Sequence, residues 1–174
     1  MTAWQPAYVG LGSNLDDPAA QVLRALERLR HLPDTQLVLA SPLYGSRPLG
    51  PAQPDFVNAA AGLLTLLEPR ALLGQLQGLE RAAGRPAGHE HWGPRVLDLD
   101  LLAFGGRTLR EPDLVLPHPG VVARNFVLYP LADIVPDLVI PGLGRVAQLK
   151  QRVSAQGLWP LACGRRDRES HRAP

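Results

Sequence analysis

Trp92-Gly93-Pro94-Arg95-Val96-Leu97-Asp98-Leu99-Asp100-Leu101-Leu102-Ala103-Phe104 is the stretch from which the rest of the chain can be read. Apolar and polar residues alternate in it with period two, the pattern of a β-strand. The alternation predicts Leu97, Leu99, Leu101 and Ala103 on one face and Val96, Asp98, Asp100 and Leu102 on the other. Two carboxylates then share a face, roughly 6.6 Å apart along the strand axis. Left to themselves they repel, and each raises the pKa of the other. A hard cation such as Mg²⁺ or Mn²⁺ relieves that conflict and suits oxygen ligands. The alternative is an edge strand whose solvated face carries two Asp. Asp is a poor strand former, and a rigid Trp-Gly-Pro-Arg turn feeds straight into the strand, so the metal reading is preferred. Arg95, near the strand's start, is placed to meet an anion held by the same metal.

Composition narrows the class of protein. At 174 residues the chain suits one domain with a real core. It has no run of 18 apolar residues, so no membrane span is expected. The N-terminus has neither a basic patch nor an apolar signal segment, and Cys163 is the only cysteine. The expectation is therefore a cytoplasmic protein without an internal disulfide. The formal charge of +2 comes from the end of the chain, where Arg165, Arg166, Arg168 and Arg172 outnumber Asp167 and Glu169. The remainder is neutral, with 14 basic and 14 acidic residues. That balance argues against a nucleic-acid partner, which calls for a basic face. Residues 1–162 are expected to form the domain, with 163–174 a mobile basic tail. Lys150 is the only lysine among 18 basic residues, so phosphate would be handled by guanidinium.

Taken in order, Ala7–Ser13 reads as a first strand. Asp17 caps a helix with Pro18 at its first position, and leucines at helical spacing carry it to about His31. Gly10 and Gly12 lack the third glycine of a dinucleotide fingerprint and the Gly-Lys of a P-loop. A tight strand-to-helix turn is the role expected of them. Gln36–Tyr44 is a second strand and Phe56–Leu66 a third. Between these two lies a Pro/Gly-rich loop of the kind that shapes a binding site or lid. A second helix opens at Glu68-Pro69 and ends at Gly84. A second loop then leads from Gly84 to His91 and the acidic strand. Gly105-Gly106 predicts a hairpin with Arg107–Leu109 returning, and Leu114–Pro119 is extended. A third helix begins near Arg124 and is interrupted at Pro130, and Val146–Val153 fits a last short helix. The order β-α-β-β-α-β predicts an α+β ferredoxin-like sandwich with a C-terminal extension.

Acidic strand, scattered arginines and Pro/Gly loops together suit metal-assisted chemistry on nucleotide phosphates. His118, between two prolines, is suited to hold a phosphate oxygen or to act as acid or base; a packed or surface histidine is the alternative. Arg85, Arg95 and Arg124 are candidates to clamp negative charge. Phe56 and Phe126 fit a core, or else the two faces of a planar heterocycle whose edge Asn58 reads. Gln77 and Glu80 flank the apolar stripe of the second helix, where a solvated face is the simpler role for Glu80.

Four segments carry a family resemblance: Gly10-Leu-Gly-Ser-Asn-Leu15, Pro54-Asp-Phe-Val-Asn-Ala-Ala60, Trp92–Leu102, and Val115-Leu-Pro-His-Pro119 through Arg124–Leu131. The chain resembles the 6-hydroxymethyl-7,8-dihydropterin pyrophosphokinases over roughly residues 7 to 150. The Trp-Gly-Pro-Arg…Asp-Leu-Asp signature is the most specific part. A monomer without nucleic-acid or membrane partners is expected, and the resemblance implies transfer of the β,γ-pyrophosphoryl group of ATP to the pterin hydroxymethyl oxygen with release of AMP. It implies that Asp98 and Asp100 bind two Mg²⁺ and that Arg85 and Arg95 stabilise the phosphates. His118 and Arg124 would contact the triphosphate, with Trp92, Gln77 and Glu80 near the nucleotide. Phe56 and Phe126 would sandwich the pterin, while Asn58 and the Ser46–Leu49 segment with Pro48 bond its edge. Phe56 stands where some relatives have Tyr, keeping the stacking and losing a hydroxyl. The second loop is a departure, since Arg85 is its only arginine and His89 and His91 are poor substitutes at neutral pH. Weaker ATP binding or slower closure is expected from it.

Overall fold

A computed structural model describes residues 3–84 and 93–162 of the chain. Arg85, His89, His91 and Trp92 lie outside the described residues, as does the tail from 163 onward.

The chain begins with β1 (Gln5–Ser13) and α1 (Pro18–Leu29), continues through β2 (Thr35–Ala40), β3 (Tyr44–Ser46) and β4 (Phe56–Thr65), and reaches α2 (Pro69–Ala82) and β5 (Asp98–Phe104). β2 and β3 both pair with β4, β2 along its second half and β3 along its first. They are the two halves of the single strand predicted over Gln36–Tyr44. The break falls at Ser41-Pro42, where proline has no N–H to give the ladder. Ser41 bridges it: its N–H donates to the Ala60 carbonyl, and its Oγ accepts the Ala60 N–H. Counted as one strand, they give the antiparallel order β2/β3–β4–β1–β5 of a ferredoxin-like sheet.

Helices α1 and α2 cover one face of this sheet. Asp17 caps α1 by accepting the Ala20 N–H at 3.3 Å, with Pro18 inside the first turn. Val22, Leu29, Leu72 and Leu76 pack on Val9, Leu11, Leu63 and Leu99, all buried, in the larger core. The C-terminal extension adds Leu114 and Leu116 to the larger core and covers part of the other face. It contributes the hairpin β6 (Leu109–Glu111) and β7 (Leu114–Leu116), then α3 (Asn125–Ile134), the short pair β8 (Val139–Ile140) and β9 (Gly144–Arg145), α4 (Val146–Gln151) and β10 (Leu158–Pro160). Leu128 and Leu131 of α3 pack with Leu149 of α4 on Leu102 and Ala60, forming a second core.

Several expectations need correction. Gly10 and Gly12 are not in a strand-to-helix turn but inside β1, paired with Asp100 and Asp98 of β5. After Gly105-Gly106 the chain does not return along β5; Leu109–Glu111 pairs with Leu114–Leu116 instead. Helix α3 runs through Pro130 because Leu128 and Leu131 on either side are fully buried. That packing outweighs the one helical hydrogen bond proline cannot make. Strand β10 had no signal of its own in a segment of three residues.

The phase of β5 also changes. Val9 pairs with Leu101 but Tyr8 with Ala103, so Leu102 is an extra residue in a β-bulge. Beyond it every side chain switches face. Phe104, not Ala103, joins Leu97, Leu99 and Leu101 in the larger core. Ala103 lies opposite Tyr8, which packs against the second core.

Candidate active site

One cleft of about 460 Å³ is lined by residues of β1, β4 and β5, by the start of α3 and, from α2, by Leu73, Gln77 and Glu80. It gathers Ser46, Pro48, Leu49, Phe56, Asn58, Gln77, Glu80, Arg95, Asp98, Asp100, His118, Arg124 and Phe126. These are all the candidate residues that fall within the described part of the chain. Arg47, Gln53 and Leu73 line it too and were not singled out from the sequence.

The sheet register lays out the floor. Asn58 of β4 pairs with Gly12, which pairs with Asp98 on its other side. One step along, Ala60 pairs with Gly10 and Gly10 with Asp100. Two strand spacings put Asn58 about 10 Å from Asp98. The glycines keep this floor low: a Cβ at Gly12 would stand 3.4 Å from Oδ1 of Asn58. Asn58 is itself aimed, because its amide Nδ2 donates to Oγ of Ser46 at 2.8 Å.

At the acidic end, Arg95 donates to Oδ1 of Asp98 at 2.6 Å. His118 Nε2 lies 3.7 Å from one oxygen of Asp100, and Arg124 Nη1 lies 3.9 Å from the other. Burial pushes the Asp100 carboxyl above the ordinary carboxylate range, and the Asp98 charge adds to this. His118, Arg124 and Arg95 pull the other way. The balance is upward: the site resists carrying two negative charges unless a cation joins them.

Local structure explains how His118 arrives. The bulge at Leu102 turns that residue's carbonyl outward, and it accepts the His118 N–H at 2.8 Å. Nδ1 of His118 accepts the Gly120 N–H at 3.0 Å, which orients the ring. Arg95 is held by Asn14. Oδ1 of Asn14 accepts the Arg95 N–H at 2.7 Å, and Nδ2 of Asn14 donates to Gln53 and to the Pro54 carbonyl, both at 3.0 Å. One buried amide thus ties the first Pro/Gly loop to the start of the acidic strand.

Glu80 departs from its simpler reading. It is only 4 % exposed, not on a solvated helix face. Its Oε1 accepts the N–H of Leu99 at 2.7 Å, between the two aspartates. Phe56 and Phe126 are half-buried at the cleft, Phe126 also packing against the second core, and the Arg124 guanidinium lies 5.9 Å from the Phe126 ring centre.

Residues 8–136 match the protein-family model for 7,8-dihydro-6-hydroxymethylpterin-pyrophosphokinase. The chain belongs to that family. Among relatives named 2-amino-4-hydroxy-6-hydroxymethyldihydropteridine pyrophosphokinase, the Pseudomonas aeruginosa protein is 49% identical over 155 residues, covering 88% of this chain and 95% of its own length. The Haemophilus influenzae protein is 43% identical over 144 residues, covering 82% and 89%. Among solved structures, the Plasmodium falciparum HPPK-DHPS wild type with pteroate superposes with a TM-score of 0.69 at 13% identity. The superposition covers 87% of this chain and 43% of that longer one, and it supports the ferredoxin-like fold of the pyrophosphokinase domain.

The donor set fits the metal that the family resemblance implies. Asp98 and Asp100 offer hard oxygens side by side, with the charge conflict that a divalent ion removes. Among the described residues no group of three or more such ligands occurs. Mg²⁺ suits a site of that kind, since it is commonly held by one or two carboxylates, water and substrate phosphates.

Proposed function

We infer that this chain transfers pyrophosphate from ATP to the hydroxymethyl group of 6-hydroxymethyl-7,8-dihydropterin, giving the pterin diphosphate and AMP, a step of folate biosynthesis. The observation that carries this is the meeting, in one cleft of a family member, of an acidic pair with an aromatic and amide slot. The first suits phosphates and the second a flat heterocycle with hydrogen-bonding edges.

Asp98 and Asp100 would hold two Mg²⁺. Bound there, they would supply Lewis-acid stabilisation of the triphosphate charge. Arg95 and Arg124 supply guanidinium donors to the phosphate oxygens, and His118 adds a ring nitrogen. Arg85 and Trp92 are assigned to the nucleotide by sequence, and the single arginine of their loop favours weaker ATP binding or slower closure. Gln77 lies on the nucleotide side, while Glu80 supports it by fixing β5. Phe56 and Phe126 sandwich the pterin, and Asn58 with Ser46, Pro48 and Leu49 reads its edge. Holding both substrates side by side replaces a bimolecular encounter with a positioned one.

The same reading takes residues 1–162 as one catalytic domain followed by a basic tail, and the protein as a cytoplasmic monomer. No helix among the described residues is long and apolar enough to cross a membrane. The test is nucleotide release from ATP, Mg²⁺ and the hydroxymethyl-dihydropterin. AMP that depends on the pterin and disappears in Asp98→Ala supports the reading. ADP would mean γ-phosphoryl transfer, and no turnover would leave a ligand-binding module.

A further inference from the structure

Asn125 stands between Arg124 and Phe126, two residues that line the cleft, yet its own side chain turns elsewhere. Nδ2 of Asn125 donates to the Ser154 carbonyl at 2.9 Å and the Gln156 carbonyl at 3.0 Å. Both amide protons are thereby committed to one turn some thirty residues away. The turn braces itself, with Gln156 N–H donating to Ser154 Oγ and Leu158 N–H to the Ala155 carbonyl.

From that turn the chain passes to the opposite wall. The Gly157 carbonyl accepts the Arg47 N–H at 2.9 Å, and Leu158–Pro160 pairs antiparallel with Tyr44–Ser46. Leu161 closes the far end by donating to the Leu43 carbonyl at 2.9 Å. Strand β3, otherwise the edge of the sheet, becomes an interior strand exactly where the Ser46–Leu49 segment departs from it. The Trp159 indole occupies the space beside Gly45; a Cβ there would fall 2.3 Å from the ring. None of residues 154–161 lines the cleft. The family model's match ends at residue 136, so this strand lies outside the matched residues.

We propose that Asn125 and β10 form a clamp joining the Phe126 wall of the pterin slot to its Ser46–Leu49 wall, and that Asn125 is a positioning residue for the pterin. The proposal rests on the assignment of that end of the cleft to the pterin. The clamp holds the two walls at one separation before the ligand arrives, which lowers the ordering cost of binding. Its hydrogen bonds are exposed, so losing them disturbs placement more than folding. A misplacement of about 1 Å at such a wall is enough to weaken a positioned contact.

The test measures binding of the hydroxymethyl-dihydropterin by calorimetry in the presence of a non-hydrolysable ATP analogue and Mg²⁺. Binding of the analogue alone and thermal unfolding are followed in parallel. Asn125→Asp keeps the shape, removes both N–H donors and adds a charge that favours a helix start; Asn125→Ala and Trp159→Ala complete the set. Each is expected to raise the pterin Kd about tenfold, about 1.4 kcal/mol, and to leave the analogue Kd within about twofold. The Asn125→Ala/Trp159→Ala double variant is expected to lose no more than the worse single one, as for two parts of one unit. Unchanged pterin affinity in folded Asn125→Asp overturns the proposal. So do equal losses for pterin and analogue, or additive losses in the double variant. A native protein that binds no pterin refutes the functional reading itself, and shows this before any variant is compared.

Discussion

Oε1 of Glu80, on α2, accepts the N–H of Leu99, the residue between Asp98 and Asp100, at 2.7 Å. The buried Glu80 carboxylate therefore holds the backbone of β5, the edge strand whose side chains on either side of Leu99 form the acidic pair. Glu80→Ala leaves that N–H buried without its acceptor and is expected to lower stability by about 1–3 kcal/mol. Glu80→Gln retains an oxygen acceptor and should lose less. Urea unfolding of the three proteins measures the difference, and equal stability of Glu80→Ala would show that the bond is idle.

Asp98 has a different role from the residue that supports it. Asp98→Asn keeps the volume and removes the charge, and AMP formation is expected to fall by about 10³-fold, the scale seen when a stabilising group is taken from a transition state. Folding should be unaffected, as circular dichroism would report.

The metal-free protein should be limited by Asp100. Its carboxyl titrates above the ordinary range because of burial and the neighbouring Asp98. A raised acid favours its protonated form in the fold, so its contribution is complete at low pH and is lost as pH rises through the folded pKa. At neutral pH the charge is a net cost, and Asp100→Asn is expected to melt higher than the native protein without Mg²⁺. The gap should close as pH falls into the acid range. Melting curves across pH decide this, and a variant less stable at neutral pH would refute it.

Phe126→Ala should separate the two substrates. Loss of one aromatic face is worth about 0.5–1.5 kcal/mol beyond area, so the pterin KM is expected to rise about tenfold or more while ATP-analogue affinity holds. Steady-state kinetics with each substrate varied in turn is the measurement.

Asn14 is 2 % exposed and spends its side chain on Arg95, Gln53 and Pro54. Asn14→Ala is expected to destabilise the fold by about 1–3 kcal/mol, the cost of stranding a buried polar partner. It should also slow the reaction by releasing Arg95. A calorimetric melt and a kcat measurement test the two effects separately.

Much of the site was readable because its residues sit at fixed sequence intervals on regular elements. Asp98 and Asp100 share a face because strands have period two, and Phe56 and Asn58 do so for the same reason. The Pro/Gly loop between β3 and β4 was recognisable from composition, and Ser46, Pro48 and Leu49 do line the cleft. Arg47 and Gln53 escaped notice there because nothing local separates a loop residue facing the cleft from one facing water.

Sequence alone determined the β-α-β-β-α-β order, the capped start of α1, the acidic strand and the family, since each is written in short-range pattern or in contiguous motifs. Tertiary structure alone decided that Leu102 bulges and carries His118 to Asp100, that Glu80 is buried beneath β5, and that β10 completes the sheet beside β3. The physical reason is the same in each case. A bulge, a buried acceptor and a three-residue strand are stabilised by partners far along the chain, and their local sequence has no preference strong enough to announce them.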